Sequence, residues 1–224
     1  MRCGLLPLST RSWLIYVLGA MAGLLLLVTG TCKLGLHRPL MMDQSLMNVD
    51  RDPSVHAERV WAQKIDLAGV PNLHKVSDDL YRGAQPTEEG VRQLRALGIR
   101  TIVNLRSFHS DRDEIGETND VAYEQIATQP WAVTHDDIVR FLRIVTDPNQ
   151  TPVYVHCLRG ADRTGTMCAI YRMVVQGWTP EQAIQEMTQG GFGFYAGWQN
   201  LIDEILHLDI QEIKKQVGPD PIRQ

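Results

Sequence analysis

Residues 155–165 read V-H-C-L-R-G-A-D-R-T-G. They join an apolar run, T-P-V-Y-V-H (151–156), to a second one, T-G-T-M-C-A-I-Y-R-M-V-V-Q-G-W (164–178). The first has the length of a buried strand; the second is apolar on most sides, as a helix inside a core must be. A charged, glycine-bearing turn between them has no packing purpose. The N–H groups of such a turn, with those opening the helix, converge on one point and form a concavity for an oxyanion. Gly160 lets the backbone approach a ligand closely. Arg163, six positions after Cys157, carries a planar fork that matches two phosphate oxygens. The same dipoles and charge favour thiolate over thiol at Cys157, which makes the sulfur a nucleophile.

Strand and helix signals alternate on both sides of this turn. Residues 80–82 form a short strand candidate, and a helix starts at Thr87 with Glu88 and Glu89 in its first turn and Val91, Leu94 and Leu97 on one face. I-R-T-I-V-N-L (99–105) and residues 121–127 read as strands, separated by the polar loop S-F-H-S-D-R-D-E-I-G. A second helix opens near Thr134, with Ile138, Phe141, Leu142 and Val145 as its apolar stripe. Thr179-Pro180-Glu181-Gln182 is a capping box with proline at the first helical position. A last helical region carries Trp198, Leu201, Ile202, Ile205 and Leu206. Met167, Met173 and the tryptophans read as core filler. The alternation implies an α/β fold, with a largely parallel central sheet flanked by helices and ligands bound at the carboxyl ends of the strands.

H-C-L-R-G-A-D-R-T-G fits H-C-x-x-G-x-x-R-[S/T]-G through His156, Cys157, Gly160, Arg163, Thr164 and Gly165. In this the chain resembles the cysteine-dependent protein tyrosine and dual-specificity phosphatases. L-Y-R-G-A-Q-P (80–86), G-I-R-T-I-V-N-L-R-S (98–107) and Y-R-M-V-V-Q-G-W (171–178) are similar to bacterial dual-specificity-type members, and the resemblance covers roughly residues 73–208. It implies a dual-specificity phosphatase-like fold and catalysis in two steps. Cys157 attacks phosphorus to give a cysteinyl-phosphate, which water hydrolyses. Arg163 and the backbone of Leu158, Arg159, Gly160, Ala161, Asp162 and Arg163 bind the phosphate, Thr164 donates to the sulfur, and His156 supports the loop. The family's aspartate general acid has no counterpart in A-T-Q-P-W-A-V-T-H (127–135), which leaves Asp136, Asp137 and Asp162 as candidates. Asp136 and Asp137 also fit simple helix capping, and Asp162 fits a loop-bracing pair with a neighbouring base.

Composition narrows the field further. With 224 residues, 44% hydrophobic and 21% charged, the chain supports one sizeable globular domain. A net charge of -4 argues against nucleic acid as a partner. Cys3, Cys32, Cys157 and Cys168 have no disulfide-framework spacing, and Cys168 reads as core or as a disulfide partner that protects Cys157. The seven histidines show no metal-ligand spacing; neither a metal nor a cofactor is expected. Residues 12–32 are 21 residues without a formal charge, long enough to span a bilayer core of about 30 Å. An uncleaved transmembrane anchor is the preferred reading, over a cleaved signal sequence or lipidation at Cys32. Arg2 and Arg11 before the run balance Lys33 and Arg38 after it; family resemblance places the catalytic domain outside the cytoplasm. The expected organisation is a tail (1–11), the anchor (12–32), a linker and adapting segment (33–72), the catalytic domain (73–215) and a tail (216–224). The expected activity is hydrolysis of phosphotyrosine-like esters on a phosphorylated protein. Phosphoinositide or inositol-phosphate hydrolysis, a rhodanese-type sulfur transfer, and phosphate recognition without turnover are the alternatives.

Overall fold

The structure, a computed structural model, describes residues 59–116 and 120–218. Two short strands come first, β1 (Gln63–Lys64) and β2 (His74–Lys75), followed by β3 (Leu80–Gly83), α1 (Glu88–Ala96), β4 (Thr101–Arg106) and α2 (Arg112–Ile115). Then come β5 (Ala122–Thr128), α3 (His135–Thr146), β6 (Val153–His156) and α4 (Asp162–Val174). The chain continues through α5 (Pro180–Gln189), α6 (Gln199–Leu206) and α7 (Ile210–Val217). The strands lie in the order β1-β2-β3-β6-β4-β5. β3, β6, β4 and β5 run parallel, while β1 and β2 add an antiparallel edge.

Alternation along the strands divides the interior into two cores. Leu80, Val103, Ile126, Val153 and Val155 face α3 and α4, where Phe141, Leu142, Met167 and Ile170 pack. Tyr81, Ile102 and Tyr154 face the opposite side, against Val91 and Leu94 of α1 and Ile115 of α2. A central parallel strand buries both faces, which is why β6 and most of β4 carry no exposed position. The helices start where their caps dictate. Thr87 accepts from the Gly90 N–H, and Thr134 with Asp137 and Thr179 with Gln182 form capping boxes. α4 is buried from Thr164 to Val174 because it packs against the sheet on one side and α5 and α6 on the other. Gly165 permits this contact, since a Cβ there would meet Met187 Cγ of α5 at 2.9 Å.

The α/β layering is as expected, but the N-terminal transmembrane helix is not part of this fold. Among the described residues no helix is long and apolar enough to cross a membrane. The longest of them, α4, has 13 residues, about 20 Å against a bilayer core of about 30 Å, and its apolar sides are consumed by the protein core. Residues 12–32 lie outside the described residues. No described helix supports the expected membrane attachment, nor the membrane-anchored, extracytoplasmic location that family resemblance implied.

A buried ion pair ties the start of the described chain to the core. Arg172 of α4 donates from Nε to Glu186 Oε2 at 2.7 Å and from Nη2 to Oε1 at 2.6 Å. Arg172 also donates to the Val60 and Val76 carbonyls, and Glu186 accepts from the Ala62 N–H. Trp178 covers the guanidinium, with the ring centroid 4.2 Å from Cζ. Breaking such a pair leaves one charge stranded in the interior. Glu186→Gln should therefore cost about 3–5 kcal/mol in urea denaturation, and a loss below about 1 kcal/mol would refute the anchoring role.

Candidate active site

The carboxyl ends of four parallel strands meet at one loop, residues 157–163. β6 runs into it directly. Behind it, the end of β3 comes so close that a Cβ on Gly160 would stand 2.3 Å from the Gly83 carbonyl carbon and oxygen. Gly160 also has φ +69°, so the position needs glycine for both space and conformation. The ends of β4 and β5 are bound by Arg163, whose Nη1 donates to the Leu105 carbonyl at 3.1 Å and the Thr128 carbonyl at 3.3 Å.

Every carbonyl of residues 157–161 is held by a donor outside the loop. His156 Nδ1 reaches Cys157 O at 3.2 Å, and the Gln85 N–H reaches Leu158 O at 3.3 Å. Asn72 Nδ2 donates to Arg159 O at 3.0 Å. Arg82 Nη2 donates to Gly160 O at 2.8 Å and Ala161 O at 3.4 Å. A trans peptide points its C=O and N–H in opposite directions, so fixing each oxygen outward turns the next N–H inward. Among the described residues, the N–H groups of Leu158, Gly160, Ala161, Asp162 and Arg163 donate to no protein acceptor. Together they form a cage that can bind a tetrahedral oxyanion.

Cys157 lies at the base of this cage, 4% exposed. Burial pushes its thiol upward, but the opposing influences are larger. The Thr164 hydroxyl and N–H, the Arg163 charge and the Arg159 N–H together hold it below the usual thiol range. The Thr164 hydroxyl is buried and completes no hydrogen bond of good geometry, yet lies near enough to the sulfur to stabilise negative charge there. Cys168, eleven residues on, is also a free thiol, and burial pushes it up to about 11. The two cysteines share a core but differ in chemistry.

His156 is braced from below. Its Nε2 lies 2.6 Å from Asp111 Oδ2, with both side chains fully buried. A carbonyl on one side of the ring and a carboxylate on the other hold it in a single orientation. Asp111 Oδ1 in turn accepts from Gln85 Nε2 and Asn104 Nδ2, each at 2.9 Å. His109 and Glu114 bring donor atoms within 4.8 Å of the Asp111 carboxylate, a trio of metal-ligand types. Its buried member already has both oxygens engaged.

The three candidate acids are placed differently. Asp137 closes the α3 capping box by accepting from the Thr134 N–H and hydroxyl. Asp136 lines a surface cleft of about 610 Å³ with Glu124, Arg140, Arg143 and Gln216, a cleft that includes no residue of the loop. Asp162 accepts from Arg159 Nη2 at 3.1 Å and the Tyr195 N–H at 2.8 Å. Sequence reasoning missed Asn72, Arg82, Gln85, Asn104 and Asp111. Arg82 and Gln85 do lie in L-Y-R-G-A-Q-P, a segment marked by its resemblance, but Asp111 sits in a polar loop without periodicity.

Residues 69–196 match the family model described as a DSP-PTPase phosphatase fused to NAD+ kinase. The dual specificity protein phosphatase TpbA of Pseudomonas aeruginosa is 36% identical over 134 residues, 59% of this chain and 60% of that protein. The crystal structure of P. aeruginosa TpbA superposes with a TM-score of 0.63 at 30% identity, covering 71% of this chain and 98% of that one. An inositol diphosphatase of Arabidopsis thaliana is 27% identical over 127 residues, 54% of this chain and 62% of that protein. The family match spans more than half of the 224 residues and contains the whole cage, its outer donors and Cys157: the chain belongs to the DSP-PTPase phosphatase family.

Proposed function

We propose that the chain is a cysteine-dependent phosphatase acting on phosphotyrosine-like phosphomonoesters. The observation that carries this reading is a cysteine held below the usual thiol range at the base of a ring of inward N–H groups, with Arg163 beside it. The Cys157 thiolate attacks phosphorus, the P–O bond to the leaving group breaks, and a cysteinyl-phosphate forms. Water then attacks phosphorus, the P–S bond breaks, and phosphate and thiolate are released. The cage N–H groups and the remaining Arg163 donors stabilise the equatorial oxygens at both transition states. Thr164 supports the sulfur each time it carries negative charge.

The mouth of the site favours one phosphate on an aromatic ring. Leu158 and Tyr195 are 55% and 58% exposed, and the Tyr195 N–H is tied to Asp162 of the loop. Trp131 and Phe108, also exposed, follow the ends of β5 and β4 that Arg163 joins. Such side chains pack on a phenyl ester. An inositol polyphosphate needs extra cations instead, and the loop's extra cation, Arg159, is paired with Asp162. A variant of TpbA was crystallised in complex with phosphotyrosine, which accords with this choice. With Asp137 and Asp162 committed to other partners, a leaving group that departs unprotonated is favoured. A phenolate, whose parent pKa is about 10, does so far better than a serine alkoxide.

Cys157→Ser should lose all measurable turnover while still binding inorganic phosphate in calorimetry, and wild type quenched in mid-turnover should carry phosphate on Cys157. Phosphate trapped on another residue would refute the assignment. The pH profile of kcat/KM provides a second check. Thiolate is lost as pH falls through the Cys157 pKa, so a depressed pKa moves the acid limb of the profile below the usual thiol range. Thr164→Val should move that limb upward, whereas an unmoved limb would remove Thr164 from the mechanism. A substrate panel provides the third check. Phosphotyrosine should exceed phosphoserine in kcat/KM by about a hundredfold or more, with inositol polyphosphates poor substrates. Asp162→Ala, by freeing Arg159, should narrow the gap to the polyphosphates; a wild type that prefers them would reverse the assignment.

A further inference from the structure

Arg82 is an expensive residue to hold where it stands. Its side chain is 1% exposed, and burial of a guanidinium is strongly unfavourable unless something compensates it. Glu186, the carboxylate whose charge reaches it, is already paired with Arg172. What Arg82 does touch is the Cys157 loop and one ring: two loop carbonyls accept from Nη2, Phe192 stacks with its centroid 3.7 Å from Cζ, and Nε has no partner. The neighbouring positions of β3, Leu80, Tyr81 and Gly83, are all buried. An apolar side chain at 82 would serve the core without the desolvation cost.

We propose that Arg82 is a positioning residue for catalysis, turning the Gly160 and Ala161 carbonyls out of the phosphate cage and fixing a positive charge beneath Cys157. The proposal rests on the phosphatase reading of that cysteine. Two peptide units depend on Arg82. With Gly160 O held outward, the Ala161 N–H points in; with Ala161 O held, the Asp162 N–H does so. Gly160, the most permissive residue of the loop, lies at the first of these units, so an unanchored peptide there can rotate and present an oxygen to the substrate. That oxygen would repel a phosphate dianion where an N–H should bind it. The second contribution is charge. Held against the loop by its two carbonyl contacts, the Arg82 guanidinium is attracted by negative charge on either buried thiol, Cys168 ahead of Cys157, in surroundings where screening by water is weak. Lysine supplies the charge but not the fork, and glutamine supplies a donor without the charge.

The test uses the full chain carrying Arg82→Lys or Arg82→Gln. Three quantities are measured: kcat and KM on an aryl phosphate, the pH midpoint of Cys157 alkylation by iodoacetamide, and thermal stability. Arg82→Gln should lower kcat/KM about 10- to 100-fold and move the alkylation midpoint upward. Arg82→Lys should keep the midpoint near that of wild type while KM rises. A purely structural arginine would change melting and leave the midpoint in place. Folded variants with unchanged midpoint and kinetic constants would overturn the proposal, and so would failure of both variants to fold, which would assign Arg82 to the fold alone. A wild type that turns over no aryl phosphate would sink the phosphatase reading instead, while the alkylation midpoint would still decide the role of Arg82.

Discussion

Peptide planarity is the constraint on which the rest of this site depends. A loop can aim a series of N–H groups at one point only if the intervening carbonyls have somewhere else to go, because buried carbonyls left without donors are costly. Here each carbonyl from 157 to 161 finds a donor, and the donors come from His156, Asn72, Arg82 and the Gln85 backbone. The cage is thus built from outside. Its rigidity is a property of the end of β3 and the segments flanking it as much as of the loop.

The same logic extends to the second layer. Gln85 holds Leu158 O through its backbone, and its side chain accepts from Arg106 and donates to Asp111. Asp111 braces His156, and His156 braces the Cys157 carbonyl. Arg106, Gln85, Asp111, Asn104 and His156 thus form one connected network running from β4 through the α2 entry to the nucleophile's carbonyl. Networks of this kind specify one arrangement when complete and are costly when broken. The two buried cysteines show what that specificity achieves. Burial is the largest single influence on both: Cys168, with no hydrogen-bond donor among the influences on it, is driven up to about 11, while at Cys157 the Thr164 hydroxyl and N–H, the Arg163 charge and the Arg159 N–H together outweigh it. Burial alone makes a thiol inert; oriented dipoles and a nearby cation favour its thiolate form.

Much of this was legible in the sequence, and the reason is local encoding. The strand–turn–helix at 153–174, the capped starts of α1, α3 and α5, and the two-sided burial of β4 and β6 each follow from a pattern within a dozen residues. What was not legible is encoded over long distances. β1 and β2 are two residues each and too short to carry a period, and α2 has a single turn whose buried side chain is Ile115. Asp111 is 45 residues from His156 and Asn72 is 87 from Arg159, so no local window links them. The 21 charge-free residues at 12–32 have the length and hydropathy of a membrane span, but they lie outside the described residues, among which no helix is long and apolar enough to cross a membrane.

Separating the loop from its supports also separates chemistry from selectivity. In the proposed reaction the cage and Cys157 meet only the phosphate, and Arg82 and His156, which fix them, are buried. Selectivity then falls to groups outside the cage: Arg159 pairs with Asp162, Asp162 holds the Tyr195 N–H, and Leu158 is exposed. Asp162 has a part in both regions, since it opens α4 beneath the cage, neutralises the rim cation and tethers Tyr195. A carboxylate so committed is poorly disposed to carry a proton to a leaving group. In the proposed reaction the burden of bond cleavage then falls on the cage and on the leaving group itself. A preorganised N–H ring lowers the barrier by stabilising charge on the equatorial oxygens, and an aromatic oxygen lowers it by accepting charge on departure. Under the proposed reading, the rigid cage and the exposed apolar side chains Leu158 and Tyr195 act together on an ester whose leaving group departs unprotonated, in keeping with a stretch before α3, 127–135, that carries no carboxylate.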